Sequence, residues 1–286
     1  MNILISFLLL FGFTSKASEI YRISKILADD QRDLIFLNTG EVVESPDESI
    51  TRIATQSLKE KKGVILKLQK LDDEFRRSIV DIESVEYGEF EPQPEHEFTK
   101  FNDERYFRTP LDHYTVHQYR KYEQAQALMN DFRRDTLNSS QCYNRAHVWT
   151  YEAFKKYNIY MGKMWIFYTD KYIREFNNKW WFHVAPYIHL KGWTYPVVLD
   201  PGFTQKPWTQ NTWTNLFMKN KAVCKTVSYY SHYEQNQEQE WCYLIRSSMY
   251  YWQPYNIEIL EKLKQYKWGY LPEEVDHAYR DAIYGQ

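Results

Sequence analysis

The sequence predicts an α+β protein: a small N-terminal α+β unit, then a larger domain in which a helix beginning near Cys142 packs on an antiparallel sheet. Three observations predict it. Residues 20–69 run strand, strand, helix, strand with turn signals between them. Residues 87–110 (YGEFEPQPEHEFTKFNDERYFRTP) interrupt every periodicity with prolines, acids and scattered aromatics. Beyond them, a helical pattern containing Cys142 precedes two strand-like runs, 180–190 and 193–200, joined around Lys191-Gly192. The expected organisation is a leader over 1–17, an α+β unit over 18–86, a linker or surface loop over 87–110 and a large domain over 111–286.

The leader is read from Ile3 to Phe13 (ILISFLLLFGF), an apolar run too short to span a bilayer. Ser15 and Ala17 supply small residues where a signal peptidase reads, so cleavage after Ala17 is expected; a buried strand or an uncleaved anchor are the other readings. No second run long enough to cross a membrane follows. The expectation is a secreted or periplasmic monomer with no membrane insertion after leader removal, in a compartment that permits disulfides.

In the N-terminal unit, RISKILADD and RDLIFLNTGEVVES read as strands, the second bent at Asn38-Thr39-Gly40. Residues 45–62 read as a helix capped by Ser45, with Pro46 at its first position, acids early, lysines late and Gly63 as the stop. VILKLQKL alternates as a strand, and DDEFRRSIV reads as a short helix. From Leu111, HYTVHQYRKYEQAQALMNDFRRD is helical in pattern. His113 and His117 are then one turn apart, but no HExxH glutamate or third ligand accompanies them, so no metal is expected.

Composition excludes some functions. The net charge of −2 gives no broad electrostatic case for nucleic acid or an anionic membrane. Neither a Gly-x-Gly-x-x-Gly loop nor a Walker A loop is present, so no nucleotide cofactor is expected, and no other cofactor is implied. Aromatic residues reach 18%, a load that fills a large core and also suits binding surfaces. Trp180, Trp181, Trp208 and Trp213 can wall a substrate slot or pack the core.

The three cysteines carry the functional argument. Cys224 and Cys242 lie in two strand-like runs either side of a polar stretch, which suits a disulfide; two reduced, buried thiols are the alternative. Cys142 is then left over. Ser139 or Ser140 can cap the helix start, and a thiol in the first turn is favoured as thiolate by the positive end of the helix dipole. A nucleophilic cysteine needs a base, normally histidine. His147 lies on the same helix but on another face. A hairpin centred on Lys191-Gly192 instead sets His183 directly opposite Asp200, with Cβ atoms about 5 Å apart, so that the carboxylate can orient the imidazole.

The order Cys142, His183, Asp200 is that of a papain/transglutaminase-like core. CYNRAHVW, WWFHVAP and VVLDPGF together resemble the bacterial protein-glutaminase (protein-glutamine deamidase) family, most clearly over residues 138–215. The resemblance implies Cys142 as nucleophile, His183 as base and acid, and Asp200 as its orienting partner. It implies hydrolysis of the side-chain carboxamide of protein-bound glutamine through a thioester. It further implies a latent precursor whose N-terminal pro-segment covers the site until a protease removes it. The partners so implied are proteins or peptides with exposed glutamine. A transglutaminase or cysteine protease on the same three residues is a second reading; a non-catalytic envelope binding protein is a third. The C-terminal part, from SMYYWQPY onward, has no counterpart in the resemblance.

Overall fold

The computed structural model describes residues 19–29, 32–70, 76–87, 98–100, 111, 115–137 and 139–285. The expected leader, and most of the 87–110 stretch, lie outside the described residues.

The N-terminal part is a closed five-stranded barrel. Its strands are β1 (Ile20–Leu27), β2 (Asp33–Leu37) and β3 (Val42–Ser45), followed after helix α1 (Glu48–Lys59) by β4 (Gly63–Lys70) and β5 (Arg77–Val85). They close in the order β1-β2-β3-β5-β4. Strand alternation gives β2 two different apolar faces. Ile35 and Leu37 pack in the barrel's own core with Ile50 and Ala54 of α1, whereas Leu34 and Phe36 join the core of the larger domain.

Two local expectations are corrected here. The helix cap is Asp47, not Ser45: its Oδ1 accepts from Ser49 N at 2.8 Å and Ile50 N at 3.0 Å, while Ser45 is the last residue of β3. A carboxylate next to free N–H groups at a helix start is the stronger acceptor. The run expected as a short helix contributes instead to β5, whose Ile79 and Ile82 fill the barrel while β5 pairs along β4.

Between the two parts, β6 (Phe98–Lys100) pairs with a C-terminal strand. The helix expected from Leu111 starts later. His117 lies in extended backbone, with its N–H on Tyr160 O and its carbonyl accepting from His189 N. β7 (Gln118–Tyr119) follows, and helix α2 occupies only Tyr122–Asp131. Gln124 Oε1 accepts from Arg120 N and Lys121 N, which marks the true start. His113 is outside the described residues, so the expected histidine pair is not described as a unit.

The larger domain continues with α3 (Cys142–Tyr157), β8 (Gly162–Tyr168), α4 (Asp170–Glu175), β9 (Phe182–Leu190), β10 (Val197–Val198), β11 (Trp208–Thr209) and α5 (Gln210–Met218). After these come β12 (Lys225–Val227), α6 (Tyr230–Gln235), β13 (Cys242–Ser248), α7 (Pro254–Lys262), β14 (Gln265–Lys267), α8 (Pro272–Tyr279) and a π-helical turn over Arg280–Tyr284. The sheet order is β11-β10-β9-β8-β13-β12, with β7 added beside β9. β8 is buried along its whole length, as its apolar run MWIFY requires of a strand covered on both faces. Cys224 and Cys242 form a disulfide at the start of the β12–β13 pair.

The barrel meets this domain along residues 178–182. Val42 N donates to Lys179 O at 2.8 Å, Trp181 N to Gly40 O at 2.9 Å, and Trp181 Nε1 to Leu37 O at 2.7 Å. Gly40 is needed at this turn. Its φ is +94°, and a Cβ there would stand 3.0 Å from the Phe182 ring. Arg76, buried, donates to the carbonyls of Asn178 and Ile173, and Lys25 pairs with Asp170.

Candidate active site

Cys142 is the first residue of α3 and is half-buried; it is the free cysteine of the three. The helix start is built differently from the serine cap expected. Ser140 Oγ turns back to Leu137 O at 2.6 Å, and the N-cap residue Gln141 makes no side-chain cap. The Gln141 N–H is instead taken by Asp281 Oδ2 at 2.9 Å, from the far end of the chain. Arg145, one turn along, is buried and donates to Ser140 O and Oγ, which stiffens the approach to the helix.

His183 sits on β9 opposite Ile166 of β8, inside the sheet. Its Nε2 lies 2.8 Å from Asp200 Oδ2. The contact is made by a different route from the hairpin expected. Val197 pairs with Ile188 and Val198 with Tyr187, so the register is offset by two residues from one centred on Lys191-Gly192. Asp200 is therefore not opposite His183. It lies in the turn after the two-residue β10 and reaches back to the imidazole. An even offset keeps every side chain on its face, which is why the two residues still meet.

Asp200 is held from several sides. Phe203 N and Thr204 N donate to its carbonyl at 3.0 and 2.8 Å, which fixes the turn. Trp213 Nε1 donates to Oδ2 at 2.9 Å, the same oxygen that faces His183. The rings of Phe203, Phe217 and Trp213 lie 4.8, 4.5 and 5.7 Å from the imidazole, so this pair is largely dry. The sequence allows Trp213 as a slot wall or a core residue. Its link to Asp200 depends on how α5 folds back after β11, which no local pattern announces.

Burial alone would lower the pKa of His183, but the charge and hydrogen bond of Asp200, with a further hydrogen bond to Cys142, raise it to about 9. With Nε2 on Asp200, the remaining Nδ1 is the nitrogen available to the Cys142 thiol. His147 is separate: fully buried, with Nδ1 2.8 Å from Lys163 Nζ. Burial, reinforced by the charges of Lys163 and Lys267, holds its pKa well below the ordinary range. Trp180 and Trp181 meet the barrel, Trp180 through a β-bridge with Glu41. Trp208 is partly buried at the sheet edge. Among the described residues, no group of three or more His, Cys, Asp or Glu side chains is placed to hold a metal ion.

This arrangement falls within a stretch of known kind. Residues 98–217 match the family model Gln_deamidase_2, described as glutaminase. This part of the chain is similar to the glutaminase family. The matched stretch contains Cys142, His183, Asp200 and Trp213, and stops before the disulfide and the C-terminal helices. No curated protein matches the chain. Among solved structures, a crystal structure of pro-protein-glutaminase is 14% identical, covers 93% of this chain and 92% of its own, and has a TM-score of 0.48. That of its A47Q2 mutant is 14% identical, with 92% and 91% covered and a TM-score of 0.48. The NMR structure of protein-glutaminase from Chryseobacterium proteolyticum is 15% identical, with 57% and 86% covered and a TM-score of 0.37.

Proposed function

We propose that the chain is an exported protein-glutamine deamidase, a cysteine hydrolase with a papain/transglutaminase-like core, made as a latent precursor. The observation that carries this reading is the hydrogen-bonded line from Asp200 through His183 to a thiol at a helix start, inside the matched stretch.

In the reaction, the Cys142 thiol gives its proton to His183, and the thiolate attacks the side-chain carbonyl carbon of a protein-bound glutamine. The oxyanion so formed meets the Cys142 N–H, which has no partner among the described residues, at the positive end of α3. His183, held as imidazolium by Asp200, delivers its proton to the departing nitrogen, and ammonia leaves a thioester behind. Neutral His183 then takes a proton from water. Hydroxide attacks the thioester, the C–S bond breaks, glutamate forms and the thiol is restored. Asp200 keeps the imidazole in one orientation throughout, and Trp213 keeps Asp200 in place.

In this reading, residues 18–86 are the pro-segment, and the leader 1–17 directs export. Support comes from the barrel's position: a cavity of about 450 Å³ is lined on one side by Thr39, Glu41 and Arg77 of the barrel and on the other by Ser139, Gln141 and Trp180. The barrel therefore stands over the start of the helix that carries Cys142.

Mass spectrometry of a glutamine-containing protein treated with the protease-processed chain tests the reaction class. The reading predicts +1 Da shifts at glutamine and no new termini. Cross-linked products would assign a transglutaminase, and new peptide termini a protease. Unchanged masses would remove the enzymatic reading.

A further inference from the structure

A helix start leaves N–H groups without intrahelical partners, and they are normally satisfied by a side chain from the same turn. Helix α3 does not work this way. Its cap comes from Asp281, separated from Gln141 by 140 positions. The same oxygen, Oδ2, accepts from Gln141 N at 2.9 Å and from Asn144 Nδ2 at 2.8 Å. Asn144 is buried, and its Oδ1 accepts from Trp252 Nε1 at 2.6 Å. One carboxylate thus pins the residue before Cys142 and the second residue after it.

The carboxylate is itself well placed. It projects from the π-helical turn over Arg280–Tyr284, and Leu137 N donates to Ala282 O at 2.7 Å beside it. Ala278 and Ala282 pack on Val148 of α3. Gln141 O in turn accepts from Asn144 N and Arg145 N, both at 3.1 Å. Both ends of residue 141 are therefore fixed, and with them the peptide plane that carries the Cys142 N–H.

We propose that Asp281 is a positioning residue for Cys142. Its carboxylate sets the rotation of the first turn of α3, so that the thiol faces His183 and the Cys142 N–H faces the cleft. The proposal rests on the reading of Cys142 as the nucleophile. It assigns a role to the C-terminal segment, which lies outside the matched stretch. The two hydrogen bonds, rather than the charge, carry the effect, because the amide oxygen of an asparagine can accept both.

The test uses the full-length chain after limited proteolysis, comparing wild type, Asp281→Ala and Asp281→Asn. Each is assayed for kcat and KM for ammonia release from a glutamine-containing protein, for the rate of Cys142 alkylation by iodoacetamide, and for its melting temperature. Misplacing a reacting group by about 1 Å can cost about a hundredfold in rate. Asp281→Ala is expected to lower kcat and the alkylation rate by about tenfold or more with KM within about twofold, and Asp281→Asn to recover most of both.

Wild-type kcat and alkylation in a folded Asp281→Ala protein would overturn the proposal. So would an Asp281→Asn protein that folds yet is as impaired as the alanine variant. Should Asp281→Ala fail to fold, the asparagine variant decides alone. A Cys142→Ala control separates the two levels: if it still releases ammonia, the reading of Cys142 fails and the proposal falls with it, whereas an inactive control beside an unimpaired Asp281→Ala protein overturns the role of Asp281 alone.

Discussion

The barrel over Ile20–Val85 and the C-terminal segment over Met249–Gly285 both lie against the domain that holds Cys142, yet they are joined to it in different ways. The barrel has a sealed core of its own, and it touches the domain through the outer faces of β2 and β3 and a few polar latches. The C-terminal segment has no comparable core. Trp252, Ile257 and Leu260 are part of the main core, Ala278 and Ala282 pack on α3, and Asp281 caps that helix. Leu34, Phe36 and Val42 of the barrel also enter the main core, but a unit with a core of its own can stay folded when separated, and one without cannot. In the proposed function the barrel is the removable cover, and the C-terminal segment the buttress.

The largest expected effect comes from exchanging these roles. Deleting residues 272–286 removes Glu274 and leaves Lys267, which is fully buried, without its carboxylate. Breaking a buried pair in this way costs about 3–5 kcal/mol, a large part of the 5–15 kcal/mol that a domain has, and the helix cap is lost with it. The truncated chain is expected to lose its cooperative melting transition in circular dichroism. Cleavage in the 87–110 stretch and removal of the barrel is expected to leave a domain that still melts cooperatively. A truncated chain that melts like wild type would break the comparison.

A second effect concerns pH. The pKa of His183 in the folded chain, about 9, is above the ordinary 6.5, so the protonated imidazole stabilises the fold fully below about 6.5. That contribution is lost as pH rises through about 9. Asp200→Asn removes the charge that raises it. The variant is expected to show a lower urea midpoint than wild type near neutral pH and a flatter stability profile between 6.5 and 9. Parallel profiles for the two proteins would contradict this account of the pair.

A smaller effect sharpens the picture of the cover. Arg76→Ala removes the buried guanidinium that joins the barrel to the carbonyls of Ile173 and Asn178. Hydrogen bonds from a charged group are worth about 1.5–3 kcal/mol, so residual ammonia release by the uncut chain is expected to rise about tenfold. No increase would place the hold elsewhere on the barrel surface.

The strands β1 to β4 and the helix α1 were legible because they rest on periodicity and turn residues. The pairing of His183 with Asp200 was legible through strand alternation, and it survives a register offset of two because only odd offsets change the face. The offset itself was hidden. Trp193 and Tyr195 look like strand residues, yet both are exposed, and Trp193 stacks on Tyr122 rather than pairing in the sheet. The helix expected from Leu111 failed for a similar reason: a periodic pattern there includes backbone that adds a strand beside β9. Caps are the hardest case. Ser139 and Ser140 satisfy every local rule for α3, and a carboxylate from the last turn of the chain takes the position instead.

The central claim is that Cys142 performs the chemistry and the barrel withholds it. The direct measurement is ammonia release from a glutamine-containing protein by wild type and Cys142→Ala, each assayed uncut and after proteolytic removal of the barrel. The account predicts release by the cut wild-type chain alone, with the uncut chain and both Cys142→Ala samples lower by about 10³-fold or more. Equal release from cut and uncut wild type would refute the cover, and release by cut Cys142→Ala would refute the nucleophile.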